Sequence, residues 1–350
     1  MTLDKNALTF LELVRAGLWE KEARLEQYGK VDFEELYRLA GEQSVVGLVT
    51  AGFDHIKDVK APQEIVLQCI GESLQIEQTN KEMNLFIEDV VGSFKTANVY
   101  SLLLKGQGVA QSYEKPMWRP SGDIDFFLDK ENYEKAINLL LPMATSSKFG
   151  GAYSKEFAIY TEQWMIELHG TMRTCLSSKL DKEIDAVQKD VFTHKKNRTW
   201  RNGDTDVLLP APDEDVFIVF THFIKHFYKE GMNLRQICDW CRLLWTYKDS
   251  LNHELLESRI RKTGLMSEWK AFAALAVEYL GMPVEAMPLY AVRGKKKAEQ
   301  ILKHILKGLP YNVIRDTWSI AKIFPWNTIK FSPAIFLNVN GLKIKERLFN

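Results

Sequence analysis

The sequence is poor in cysteine, with only Cys69, Cys175, Cys238 and Cys241, and only the last two lie close together. Nothing in that usage points to a disulfide scaffold. The C-D-W-C pair sits inside the helical run LRQICDWCRLLW, with no second pair to complete four zinc ligands and no preceding strand as in a thioredoxin-like redox turn. We read both cysteines as ordinary residues of a helix face. An excess of charge is also missing, since Lys plus Arg and Asp plus Glu each number 46. No global field draws the chain to nucleic acid or anionic lipid, so long nucleic acid is not expected as a partner. No uncharged apolar window reaches the roughly 18 residues of a membrane span. The opening MTLDKNALTF lacks a basic stretch followed by an apolar core. These absences predict no membrane contact and a cytoplasmic location. Internal repeats and low-complexity segments are absent too.

What remains is globular in composition, 46% hydrophobic and 26% charged over 350 residues. That length suffices for two or three cores. Residues 6–97 read almost wholly as helix, with apolar residues at three- and four-residue spacing and starts at Asp32 and Pro62. From Val99 the texture changes. VYSLLL, IDFFL, AIYTE and WMIEL read as strands, QGVAQSYE and KENYEKAINLLLPM as helices between them, and the stretch ends in DVLLP. After PAPDED the chain returns to helix, in VFIVFTHFIKHFY, LRQICDWCRLLWTY, HELLESRIRKT and MSEWKAFAALAVEYL; GKKK reads as a solvated helix start. The expected fold is therefore α+β and predominantly helical: an N-terminal helical region (1–97), a core with a small mixed sheet (98–211) and a C-terminal helical domain (212–350).

The chemistry concentrates in LLLKGQGVAQSYEKPMWRPSGDIDFFL. On a strand, D-I-D puts Asp123 and Asp125 on one face and turns Ile124 and Phe126 to the other. Two converging carboxylates repel unless one is protonated or a divalent cation sits between them, and oxygen-only ligands favour Mg2+ or Mn2+. Upstream, a strand runs into Lys105 and Gly106 before a short helix, a turn that lets backbone amides approach a phosphate, with Lys105 adding a full positive charge. Downstream, WMIELHG places Glu167 and His169 on one face, so a third carboxylate can stand on a neighbouring strand.

These residues resemble nucleotidyltransferases of the DNA polymerase β superfamily, specifically an uncharacterised bacterial branch. The matching pieces are Leu104-Lys105-Gly106, the run from Arg119 to Asp123-Ile-Asp125, and Ile166-Glu167-Leu168-His169. Further on, a helix carries His222, Lys225 and His226, and the next carries Leu234-Arg235 followed by Asp239. The resemblance implies transfer of a nucleoside monophosphate from an NTP to an acceptor hydroxyl on a small molecule, a protein or an RNA end. Asp123, Asp125 and Glu167 would be the catalytic metal ligands for Mg2+ or Mn2+. Lys105, Gly106, Gln107, Gly108 and Arg119 would serve the nucleotide phosphates, with Arg119 steadying the acid loop or touching phosphate. His169, His222, Lys225, His226, Arg235 and Asp239 would line the cleft towards an acceptor, with pairing of His226 or Arg235 to Asp239 as the structural alternative. H-F-I-K-H lacks the glutamate a zincin protease needs after its first histidine. Better-known members carry Gly-Ser or Gly-Gly where this chain has Gly106-Gln107-Gly108. The missing serine keeps a second reading open, a non-catalytic nucleotide- or partner-binding module, while the three acids oppose it.

Overall fold

The computed structural model describes residues 3–151, 155–308 and 311–333. Four helices open the chain: α1 (Lys5–Trp19), α2 (Phe33–Glu42), α3 (Val46–Phe53) and the 34-residue α4 (Gln63–Thr96). Asp32 caps α2 by accepting from the Glu35 amide at 3.1 Å, and Pro62 precedes α4, so both helices begin where the sequence signals them. The middle of the chain holds β1 (Leu102–Leu104), α5 (Gly106–Ala110), β2 (Asp123–Phe127), α6 (Lys130–Leu140), β3 (Ser146–Gly151), β4 (Glu156–Tyr160), β5 (Met165–His169), α7 (Ser178–His194), β6 (Asn197–Asn202) and β7 (Thr205–Pro210). Helices then resume with α8 (Pro212–Lys229), α9 (Leu234–Tyr247), α10 (His253–Thr263), α11 (Met266–Glu278), α12 (Lys295–Ile305), α13 (Val313–Ala321) and α14 (Pro325–Phe331).

The fold is α+β and mostly helical, as the periodicity predicts. Its main sheet is mixed, in the order β1-β2-β5-β4-β3: β2 and β5 run parallel and the other pairs antiparallel. A separate hairpin joins β6 to β7. β3, β6 and α7 are additions to the sequence reading, and the helix expected over 107–114 stops at Ala110. The last part of the expected C-terminal helical region, 334–350, lies outside the described residues. Among the described residues no helix is long and apolar enough to cross a membrane. Cys238 and Cys241 are buried free thiols on α9, as the helix-face reading expects.

Strand alternation sorts the sheet's two faces. Ile124 and Phe126 of β2 join Ile166 and Leu168 of β5 in a core with Ile87, Val90 and Phe94 of α4 and with Ala136 and Leu140 of α6. Burying such side chains contributes about 1.5–3 kcal/mol each. The intervening positions, Asp123, Asp125, Glu167 and His169, therefore face the other way, towards the C-terminal helices. There Leu102, Leu104 and Phe127 join a second core that runs through α1, α8, α9 and α11.

One polar side chain fixes α4 to the loops around the acids. Asn80 is fully buried; its Nδ2 donates to the carbonyls of Met117 at 2.8 Å and Arg119 at 2.9 Å, and its Oδ1 accepts from Gln107 Nε2 at 2.6 Å. Asn80→Leu is expected to cost about 2–3 kcal/mol in urea unfolding, because it strands two carbonyls and an amide in an apolar setting. An unchanged unfolding midpoint would show that the loop is held by other contacts.

Candidate active site

The site begins with a turn. β1 ends at Leu104, and the chain reverses through Lys105 at φ 50°, ψ −142° and Gly106 at φ 38°. A non-glycine residue held there stores roughly 1–3 kcal/mol of backbone strain. The positive φ favours glycine at 106, and the space is tight as well, since a Cβ would stand 3.1 Å from Ser121 Oγ. Because Leu104 pairs with Asp125 across the antiparallel β1–β2 register, the next residue delivers its ammonium to that carboxylate. Lys105 Nζ lies 2.8 Å from Asp125 Oδ1.

The parallel β2–β5 register sets Asp125 opposite Glu167 and Asp123 opposite Met165. Asp125 is 1% exposed, and its Oδ1 is also 2.7 Å from His169 Nε2, which stands 3.5 Å from Glu167 Oε2. One ligand atom from each of Asp125, Glu167 and His169 lies within 4.8 Å of the other two. Burial alone would raise Asp125, but Lys105 and His169 outweigh it and hold the carboxyl well below its usual range. Burial alone would lower both Lys105 and His169; the surrounding carboxylates reverse that and keep both above their ordinary values. Asp123 is pushed up, by the Asp125 charge first and by burial second. Lys105 and His169 thus compensate Asp125, while at Asp123 the opposing charges of Lys105 and Arg235 do not offset Asp125, burial and Glu167. That donor set, two carboxylates and an imidazole with a third carboxylate beside them, fits a divalent cation.

Two adjoining cavities share Lys105, Asp123, His222 and His226. The first, about 140 Å3, is bounded by Gly106, Arg119, Ser121, Asp125, Arg235 and Asp239. The second, about 210 Å3, is bounded by Glu167, His169, Thr171, Arg173, Lys225 and Glu230. Two of the residues expected at the phosphate turn offer these cavities no side chain. Gln107 is 1% exposed and turned into the core against Asn80. Gly108 packs on β7, where a Cβ would come within 2.8 Å of the Leu209 side chain. The five-residue α5 reaches the first cavity through Gly106 and Val109.

Arg119 is committed to Asp239. Its Nε and Nη2 donate to the two carboxylate oxygens at 2.8 and 2.7 Å, and Tyr113 donates its hydroxyl to the same group at 2.8 Å. Asp239 therefore pairs with Arg119 and not with His226 or Arg235, a correction that follows from the loop 116–121 lying against α9. His226 instead has its Nε2 2.9 Å from His222 Nε2 and its Nδ1 3.0 Å from Glu230 Oε2, three residues at four-residue spacing on α8 and its end. Chiefly through that contact, Glu230 is lowered to about 2. His222 Nε2 is 3.4 Å from Lys105 Nζ, and burial, then Lys105, push this histidine well below its ordinary value. Arg235 donates to the Pro120 carbonyl, while its buried Nε has no partner among the described residues. Burial and the neighbouring Arg119 depress Arg235, so it is a cation short of counter-charge beside the first cavity.

Sequence reasoning missed Asn80, Tyr113, Ser121, Gln236 and Glu230. Ser121 had a signal, its place inside the run from Arg119 to Asp125, and Glu230 had one in standing four residues after His226. Gln236 follows Arg235 into the first cavity, where its buried Oε1 has no partner among the described residues.

A family model described as uncharacterised nucleotidyltransferase matches residues 29–281, and the chain belongs to that family. No curated protein and no solved structure matches it.

The Arg119–Asp239 pair gives a test of what holds the acid loop. Removing one partner of a buried pair costs about 3–5 kcal/mol, so Arg119→Met should lose that much in urea unfolding, and Arg119→Met with Asp239→Leu should recover most of it. Asp239 is held below its usual value, first by the Arg119 charge working against burial. Its stabilisation is therefore complete above pH about 4 and lost as pH falls below that, and the double variant should show a shallower acid limb. A single variant as stable as the parent would assign Arg119 elsewhere.

Proposed function

Starting from membership of an uncharacterised nucleotidyltransferase family, we propose that this protein moves a nucleoside monophosphate from an NTP to a hydroxyl on an acceptor. The observation that carries the reading is the facing pair Asp125 and Glu167 with Asp123 pushed up beside them. On this reading the middle of the chain, 98–211, is a nucleotidyltransferase core of the DNA polymerase β type. The regions 1–97 and 212–350 flank it, and the second closes over the site. The resemblance in motifs extends the proposal to a bacterial branch of that superfamily.

Asp123, Asp125 and Glu167 would hold Mg2+ or Mn2+, with His169 available as a fourth donor. A divalent ion there would make the acceptor hydroxyl more acidic and spread the charge of the phosphates. The first cavity takes the NTP. Lys105, at the end of its strained turn, and Arg235, short of counter-charge, supply positive charge to the phosphates, and Ser121 Oγ stands beside the turn where other members have a loop serine. Such positioning and charge stabilisation are most of what this chemistry asks of a protein. The acceptor enters by the second cavity. Its oxygen bonds to the α-phosphorus, the bond from that phosphorus to the bridging oxygen breaks, and pyrophosphate leaves. The hydroxyl proton passes to Glu167, the carboxylate on the acceptor side.

One observation favours a second reading, a nucleotide-binding module without turnover: the Lys105 ammonium, 2.8 Å from Asp125 Oδ1, itself pairs with one of the candidate metal-binding carboxylates. The two separate in one experiment. Mn2+ titration followed by electron paramagnetic resonance should show binding to the parent that is weakened at least ten-fold in Asp123→Asn. Incubation with α-labelled ATP, Mn2+ and a small-molecule extract should transfer label with release of pyrophosphate. Metal and ATP binding without transferred label would leave the module, and Mn2+ binding unaffected by Asp123→Asn would remove the site altogether.

A further inference from the structure

A third hollow, about 490 Å3, lies between the start of α6, the chain that leaves β5, and α7. It meets the second cavity at Thr171 and Arg173, which line both. Its charged groups are Lys130, Lys155, Arg173 and Lys189 against Asp129 and Asp185. Both carboxylates are already engaged. Asp129 Oδ1 accepts from the Asn132 amide at 2.9 Å and caps α6, and Asp185 takes Arg173 through both oxygens, at 2.8 and 2.6 Å. Lys130, Lys155 and Lys189 are exposed and form no ion pair among the described residues. Thr171 is 6% exposed, and its hydroxyl has no partner among the described residues.

A polar hollow of this size suits a small molecule, and three uncompensated ammonium groups around it suit an anion. Equal totals of basic and acidic residues, 46 each, argue against a polyanion as the occupant. We infer that this hollow is a subsite for a phosphate group carried by a small acceptor, held by Lys130, Lys155 and Lys189, while the acceptor's hydroxyl extends past Thr171 and Arg173 to the carboxylates. The inference rests on the nucleotidyl-transfer reading and names the class of its acceptor, a phosphorylated alcohol. By extension, the reaction that supplies this substrate is one that phosphorylates an alcohol and leaves it a second, free hydroxyl.

The test is equilibrium dialysis of labelled orthophosphate against the full chain, with Mg2+ and a saturating non-hydrolysable ATP analogue filling the first cavity. One phosphate should bind per chain, and Lys155→Gln with Lys189→Gln should weaken that binding at least ten-fold while the thermal midpoint stays put. Absence of saturable phosphate binding, or equal binding by the double variant, would overturn the subsite. Tighter binding of a single-stranded oligoribonucleotide than of orthophosphate would overturn the small acceptor. If the ATP analogue itself does not bind, the nucleotidyl-transfer reading fails on its own account. Phosphate is then dialysed without nucleotide, where Lys105→Ala separates binding at the turn from binding in the hollow.

Discussion

A carboxylate as deeply buried as Asp125 has to be paired, and much of the site is arranged around how that is done. Lys105 and His169 reach the same oxygen, at 2.8 and 2.7 Å, from opposite sides of β2. To bring Lys105 there, the chain accepts a positive φ at a residue with a side chain and places a glycine after it against Ser121. To bring His169 there, β5 runs parallel to β2, which also sets Glu167 opposite Asp125. The two compensating cations leave Asp123 and Glu167 as the acids with least relief, and they face the cavities that the family chemistry would fill.

The helices around this centre supply rigidity and a second layer of charge. Asn80 on α4 and Asp239 on α9 hold the loop that leads into the acid-bearing strand β2 from two sides, one through main-chain carbonyls and one through Arg119. Both anchors are buried, so the loop is fixed by contacts that water does not weaken. α8 adds His222, His226 and the depressed Glu230 in one line, so Lys105 stands between an acidic centre and an imidazole pair.

The acids were legible because alternation on a strand is a strict rule: D-I-D and E-L-H each place polar groups on one face and apolar groups on the other. The turn was legible through its glycine, and the helices through their spacing and caps at Asp32 and Pro62. β3 and β6 were not, because SSKFGG and NRTWRN carry no apolar alternation and are fixed by pairing with their neighbours. The direction of the Gln107 side chain was not legible, because a helix of five residues sets no face by periodicity; packing against Asn80 and Met83 decided it. The Arg119–Asp239 pair spans 120 positions, a distance over which local pattern says nothing about partners.

The central claim is that the acidic centre needs positive charge, which Lys105 supplies in part and a divalent ion would supply in full. Thermal unfolding of Lys105→Met with and without Mn2+ tests it most directly. The variant should unfold at a clearly lower midpoint in chelator and gain more on adding Mn2+ than the parent does. A loss of the same size in both conditions would contradict the claim.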